Sequence, residues 1–257
     1  MPAAIKFQAE MGDDLQVIFV ESQGATAQVA EKFALDRDWL GGQAIWTTEP
    51  PFNTGLGGLP SCALISPSGE ILEVGMSGSV MGDVEDHIAA FAKGKKKFPK
   101  DLPKDLKKAW TANSKGDLAL ALELLTPLEE GESELSFAAS DLRRSITKNI
   151  ESRFKAITWM KENGFPLEAL ASLETLSGEV DGHAEFTKLA DELVEALNGE
   201  EMKSEMEAAA ELAKIEKAIG KSGADEKAAK KLTKLSTAFS GTKVGARAKA
   251  LADLILS

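Results

Sequence analysis

The chain contains a single cysteine, Cys62, among its 257 residues, and only two histidines. One cysteine excludes an internal disulfide and any metal site built from several cysteines. The two histidines, His87 and His183, argue against a histidine-based metal centre. We therefore expect neither a metal nor another cofactor.

The sequence also lacks a long hydrophobic run and an excess of basic residues. No stretch reaches the roughly 18 apolar residues that would span a membrane. The N-terminus shows no basic region followed by an apolar run, as a signal peptide would. The net charge of -11 argues against a general nucleic-acid binder. As written, the chain is predicted to be cytoplasmic, with no membrane span and no nucleic-acid partner.

The residues that are present divide into two parts of different character. Residues 1–92 mix helical segments with short apolar runs that are typical of strands, at 14–21, 43–47, 61–66 and 70–75. The last two runs flank Pro67-Ser68-Gly69, a turn sequence that predicts a hairpin. Residues 93–103 begin a lysine-rich, proline-broken stretch, which is typical of a linker. A patch for phosphate or anionic lipid is the alternative for this stretch.

Residues 104–257 are rich in Ala, Leu, Glu and Lys, with apolar residues at three- and four-residue steps. This pattern predicts about eight helices. A weak repeat runs through them: the spacing Gly-x4-Ala-x3-Leu-x2-Leu begins at Gly116, Gly164 and Gly223. The spacing places the alanine and both leucines on one helical face. The pattern resembles the second helix of a tetratricopeptide hairpin, although the intervals are irregular.

The most informative segment, Gly57 to Gly75, reads GGLPSCALISPSGEILEVG. It resembles the cis-proline strand and hairpin of thioredoxin-like proteins, most closely the periplasmic TlpA-type thiol-disulfide oxidoreductases. The resemblance implies an α/β thioredoxin-like domain over residues 1–92, followed by an all-α domain of helical hairpins over 104–257. It also implies a cis peptide before Pro60, with Leu59 pairing its backbone with a bound protein substrate.

The resemblance breaks at the catalytic dithiol, because this chain has no Cys-x-x-Cys motif. Residues 1–10 match the helix that follows the two cysteines in that family, so the preceding central strand is also missing. We expect a gap between Leu15–Val20 and Ser61–Ser66, with exposed backbone groups and apolar surface. A gene start placed too late, a truncated chain and a natural redox-dead variant are the alternatives, and the first is favoured. With an earlier start, the protein is predicted to be periplasmic or extracytoplasmic.

Three further residues are candidates for a substrate-binding groove beside Pro60. They are Trp46, Glu49 and Phe52, which precede the glycine-rich loop. Glu49 is also a candidate for a buried proton acceptor. The alternative is a structured loop that Trp46 anchors in the core. Cys62 is a weak catalytic candidate, since thiol chemistry needs an electropositive, exposed setting. A buried structural cysteine within the strand is the favoured interpretation.

Two functional hypotheses follow. The first is a protein of the thiol-disulfide oxidoreductase family that lacks its dithiol in the sequence as given. The second is a redox-inactive scaffold that binds proteins through the Leu59–Pro60 groove and the helical domain. In both cases the predicted partner is a protein, either a disulfide-containing substrate or a partner of the helical domain.

Overall fold

The computed structural model describes residues 2–11, 15–21, 23–37, 39, 44–47, 49, 51, 53–58, 60–66, 71–95, 98–99 and 102–256. The chain is mostly helical. It divides into two compact units, Met1–Lys95 and Lys96–Ser257.

The N-terminal unit alternates helices with short strands. Its elements are α1 (Pro2–Met11), β1 (Phe19–Glu21), α2 (Ala27–Leu35), β2 (Ala44–Trp46), β3 (Ser61–Ile65), β4 (Ile71–Met76) and α3 (Ser77–Lys95). Strand β1 pairs with β2 in parallel, and β3 pairs with β4 in an antiparallel hairpin. The described strands thus form two separate two-stranded sheets. The thioredoxin-like arrangement expected for these strands stays a prediction.

The first strand is shorter than the sequence predicts. A run from residue 14 to residue 21 is apolar enough for a strand, but β1 begins only at Phe19. The reason is a contact with the preceding helix: the Val17 N–H donates to Oε1 of Gln8 on α1, at 2.6 Å. This backbone donor is therefore already used before the strand pairing begins.

One helix packs against each sheet. Helix α2 starts at the N-cap Thr26, whose hydroxyl accepts a hydrogen bond from the Val29 N–H. It contacts β2. Helix α3 follows β4 directly and contacts both strands of the hairpin. It buries Val80 and Val84.

The second unit consists of eight α-helices in the described part of the chain, as many as the sequence predicts. They are α4 (Lys107–Ser114), α5 (Leu118–Leu125), α6 (Glu134–Glu162), α7 (Pro166–Val180), α8 (Ala184–Asn198), α9 (Glu200–Ser222), α10 (Glu226–Ala238) and α11 (Lys243–Leu256). Short 3-10 turns lie at Lys104–Leu106 and Thr126–Leu128.

Polar side chains cap the N-termini of three helices in this unit. Asp117 and Asp225 cap α5 and α10 by accepting a hydrogen bond from the third backbone N–H that follows each of them. Ser133 and Ser136 form a reciprocal capping box at the start of α6. These caps satisfy backbone donors that would otherwise be unpaired at the start of each helix.

The repeat residues form the core of the helical unit. Leu125, Leu173 and Leu232 are fully buried, as are Ala121 and Ala169. The third copy follows the same pattern, with Ala228 and Leu235 also buried. The predicted apolar face is therefore confirmed in the second and third copies. In the first copy, Leu128 lies in the 3-10 turn after α5 and is only half-buried. The likeness to tetratricopeptide repeats stays a prediction.

Candidate functional site

The proline singled out by the sequence lies at the entrance to the β3–β4 hairpin. Pro60 is exposed and comes immediately before β3. Its carbonyl accepts a hydrogen bond from the N–H of Ser77, the first residue of α3, at 3.3 Å. Pro60 thus joins the start of the hairpin to the start of the helix behind it. Two more of the residues predicted to form the groove, Leu59 and Phe52, lie outside the described residues.

Trp46 lies on the other sheet, at the end of β2. Its indole Nε1 donates to the Ala25 carbonyl at 2.9 Å, while 43% of the residue remains exposed. It is therefore held by its polar edge rather than anchored in the core, and a large part of its apolar ring surface faces solvent. An aromatic side chain held in this way is suited to contact a partner.

Glu49 is exposed, so the predicted buried proton acceptor is wrong. Its backbone, rather than its carboxylate, makes the local contacts. The Thr47 hydroxyl donates to the Glu49 carbonyl at 2.7 Å and accepts from the Glu49 N–H at 3.3 Å.

Cys62 is half-buried rather than buried, and it faces the helix-covered side of its hairpin. It lies opposite Gly75, and Leu64 lies opposite Glu73, so these residues share one face of the sheet. That face is the one under α3, because Glu73 bonds a side chain of α3 and a Cβ on Gly75 would lie 3.1 Å from Val80. Burial raises the pKa of the Cys62 thiol. The thiolate needed for disulfide exchange is therefore disfavoured at this position.

A polar pair that the sequence analysis missed connects the hairpin to α3. Nε2 of His87 lies 3.2 Å from Oε2 of Glu73. Glu73 lies between the apolar residues Leu72 and Val74 on β4. A charged residue in an otherwise apolar strand indicates a polar partner within the fold, and this is the sequence signal for the pair. The pair thus joins β4 to α3 on the face of the sheet that the helix covers.

Each sheet leaves its other face uncovered, and that face is apolar. On the hairpin, Leu72, Val74 and Met76 alternate with the residues under α3 and are 38%, 37% and 45% exposed. On the parallel pair, Val20 lies opposite Ile45, and both are at least 40% exposed. The neighbouring Phe19, by contrast, stacks on Trp39 with ring centroids 4.0 Å apart. These five exposed residues, together with Ile18, are called the uncovered faces below.

The helical unit contains a cleft of about 370 Å³ between the start of α5 and the α7–α8 turn. Arg143 on its wall already bonds Glu129, the Leu122 carbonyl and the Thr126 hydroxyl. The other charged residues that line the cleft are acidic. His183, which also lines it, stacks on Phe186. Arg143 therefore connects α6 to the end of α5. The groups that line the described cleft do not together favour binding of a ligand.

Among the residues that the structure describes, no group of three or more His, Cys, Asp and Glu side chains is placed to hold a metal ion. None of the helices in the same part of the chain has the length and hydropathy of a membrane span. Comparisons with protein-family models, with curated proteins and with solved structures found no match to this chain.

Proposed function

We propose that this chain is a redox-inactive protein-binding module, whose N-terminal unit receives an extended segment of a partner protein as an added strand. The observation that carries the proposal is the pairing of the described strands. They form two sheets of two strands each, and both sheets leave an apolar face uncovered. Two-stranded sheets are marginal in water, and a further strand stabilises them.

The free edge of the hairpin can be assigned from one hydrogen bond. The Ser77 N–H donates to the Pro60 carbonyl, so this pair is of the hydrogen-bonded type. Bonded and non-bonded pairs alternate along an antiparallel ladder. Cys62 and Leu64 therefore direct their backbone groups toward β4. Ser61 and Ala63 direct theirs away from β4, toward the free edge.

The parallel pair has a free edge as well. The Thr47 N–H donates to the Glu21 carbonyl at 3.0 Å, which directs the backbone groups of Glu21 toward β2. Alternate residues of a parallel strand bond to the same neighbour, so Val20 directs its N–H and carbonyl to the opposite side. Backbone groups at an edge of this kind are a template for another strand.

An extended peptide fits these features better than a helix does. Strand addition uses backbone hydrogen bonds for affinity and pockets for alternate side chains for specificity. The uncovered faces provide the apolar surface on which such alternate side chains would lie. Binding rather than catalysis is favoured by the single thiol, because Cys62 faces α3 and burial raises its pKa.

The test uses two dye-labelled peptides of about ten residues, the length of a long strand. One alternates valine and threonine, with a charged residue at each end. The other has proline at two central positions and cannot pair as a strand. Fluorescence anisotropy with the full chain should show binding of the first peptide only. Equal affinity for both peptides would exclude strand addition.

A pair of variants tests the assigned edge. Ala63→Pro removes the free-edge N–H, which an edge strand tolerates, and should weaken binding of the valine–threonine peptide about tenfold. Ala63→Val retains this N–H and should bind as the parent chain does. Unchanged binding by Ala63→Pro would contradict the assignment.

A second candidate is a protein of the thiol-disulfide oxidoreductase family, as the resemblance implies. The observation in its favour is the combination of a parallel strand pair with a separate hairpin entered at Pro60. Reducing a disulfide to two thiols takes two electrons, which a dithiol supplies by closing its own disulfide. One cysteine can form only a mixed disulfide. Turnover of insulin disulfides by the 257-residue chain with dithiothreitol, above the reagent alone, would favour this candidate.

A further inference from the structure

The last helices of the chain carry a charge opposite to that of the rest of the protein. Residues 214–249 contain ten Lys or Arg and only three Asp or Glu, a net charge of +7. The whole chain has a net charge of -11, so the remaining residues carry -18. A basic surface in so acidic a protein is a local feature that its overall composition does not explain.

The lysines are ordered along one face of α10. This helix buries Ala228, Ala229, Leu232 and Leu235. Four lysines alternate with these residues and are all exposed: Lys227, Lys230, Lys231 and Lys234. Spacings of three, four and seven residues place them in one stripe on the side opposite the buried face. We call these four residues the lysine stripe, and it is about 10 Å long at the rise of an α-helix.

Most of the stripe forms no ion pair with the part of the chain that the structure describes. Lys230 pairs with Glu226 at 2.8 Å. In the described part of the protein, the structure shows no ion pair for Lys227, Lys231 or Lys234. Like charges at helical spacings repel each other. A partner that brings negative charge would relieve this repulsion.

We propose that the lysine stripe on α10 is a docking surface for an acidic helical segment of another protein. An acidic helix with glutamates three, four and seven residues apart matches the spacing of the lysines. This surface belongs to the helical unit and is independent of the strand edges of the N-terminal unit. Charge complementarity of this kind speeds association and selects the partner.

Two other classes of anionic partner fit the stripe less well. A membrane-binding helix needs large apolar side chains next to its basic face, and the other exposed positions of α10 include Thr233, Thr237 and Ala238. Proteins that bind single-stranded nucleic acid use aromatic side chains for stacking, and α10 contains neither an aromatic residue nor an arginine. The charge of -18 elsewhere would also repel a long polyanion.

The experiment measures binding of the full chain to a fluorescein-labelled peptide of about fifteen residues, long enough to form a helix on contact. Its glutamates follow the spacing of the stripe on an alanine background. A second peptide has the same composition with the glutamates in one run. Anisotropy titrations at low salt should give tighter binding for the first peptide, and added salt should weaken it.

Matched triple variants test the location. Lys227→Gln/Lys231→Gln/Lys234→Gln should bind the spaced peptide about tenfold more weakly, since three exposed ion pairs are lost. Lys115→Gln/Lys148→Gln/Lys155→Gln removes the same charge from exposed positions elsewhere in the helical unit, and its affinity should change by less than about twofold. Glutamine is a good helix former, so both variants should keep the circular dichroism of the parent.

The remaining outcomes would overturn the proposal. Parent-like binding by the stripe variant would do so. So would tighter binding of phosphatidylserine vesicles or of an oligonucleotide than of the spaced peptide. Self-association that the parent shows in sedimentation and the stripe variant loses would instead identify a second copy of this chain as the occupant. If the triple variant does not fold, the single variants Lys231→Gln and Lys234→Gln should each weaken peptide binding, and parent-like binding by both would overturn the proposal.

Discussion

The two units of this protein bury similar apolar residues to very different extents. In the helical unit Leu173 and Leu232 are completely buried, whereas Ile45 and Met76 in the N-terminal unit are 48% and 45% exposed. A helical hairpin has one apolar stripe to bury, and the next hairpin packs against that stripe. A sheet has two faces, and here one helix covers only one of them. Burial therefore depends on how many layers are present, not on how apolar the residues are.

The largest expected effect compares one residue from each unit. Leu173→Ala should lower the free energy of unfolding of the helical unit by about 2–5 kcal/mol, because it leaves a cavity in a filled core. Val74→Ala, on an uncovered face, should cost the N-terminal unit less than about 1 kcal/mol. Urea titrations followed by hydrogen exchange report each unit separately. An equal loss at both sites would show that the uncovered face is covered in solution.

The next prediction concerns close packing at the α6–α7 turn. Gly164 has φ +82°, and a Cβ there would lie 3.1 Å from the backbone of Lys243, at the start of α11. Gly164→Ala should therefore lower the free energy of unfolding by about 2 kcal/mol, because it adds backbone strain and displaces α11. Gly182→Ala is the matched control, since φ is +92° and nothing lies within 4 Å of its Cβ position. Gly182→Ala should lower the free energy of unfolding by about 1 kcal/mol, from backbone strain alone.

The repeat pattern shows how far the sequence could predict this architecture. The spacing from Gly116 predicts the buried face of α5, and the same spacing from Gly164 and Gly223 predicts those of α7 and α10. Helical periodicity is local, so it can be read from a window of the sequence. The close approach of Gly164 to α11 could not be predicted, because it joins residues 79 positions apart in the chain.

The candidate site was predictable only in part, for the same reason. The hairpin and the position of Pro60 follow from local turn and strand signals. The exposure of Glu49 does not, because a loop's burial depends on what packs over it. The bond between His87 and Glu73 also escaped the sequence analysis, since it joins a helix to a strand. Long-range contacts of this kind set which face of a sheet is left open.

A smaller effect is expected at the cap of α11. The carboxylate of Glu205, on α9, accepts hydrogen bonds from the N–H groups of Lys243 at 2.6 Å and Val244 at 3.0 Å. Glu205→Gln removes the charge that favours this helix N-terminus and should lower the free energy of unfolding by about 1 kcal/mol. Glu207→Gln, an exposed position on the same helix, is the control and should change it little. Urea titrations by circular dichroism compare the two, and equal losses would exclude the cap.

The smallest effect concerns Cys62 and its dependence on pH. Burial raises the pKa of this thiol, so the folded chain keeps the proton at pH values where the unfolded chain has lost it. The free energy of unfolding should be unaffected by this group below the thiol's ordinary pKa, and should fall as the pH rises through that value toward the raised one. Urea titrations at about pH 7 and about pH 10 should show a slightly larger fall for the parent than for Cys62→Ala.

Reactivity gives a second measure of the same thiol. Iodoacetamide reacts with the thiolate, so alkylation of Cys62 at about pH 8 should be slower in the folded chain than in urea. Rapid alkylation of the folded chain, together with an equal pH dependence of the parent and Cys62→Ala, would mean that the hairpin opens on the side of α3. In that case the helix-covered face would be as accessible as the uncovered one, and the contrast between covered and uncovered sheet faces would not hold for the N-terminal unit.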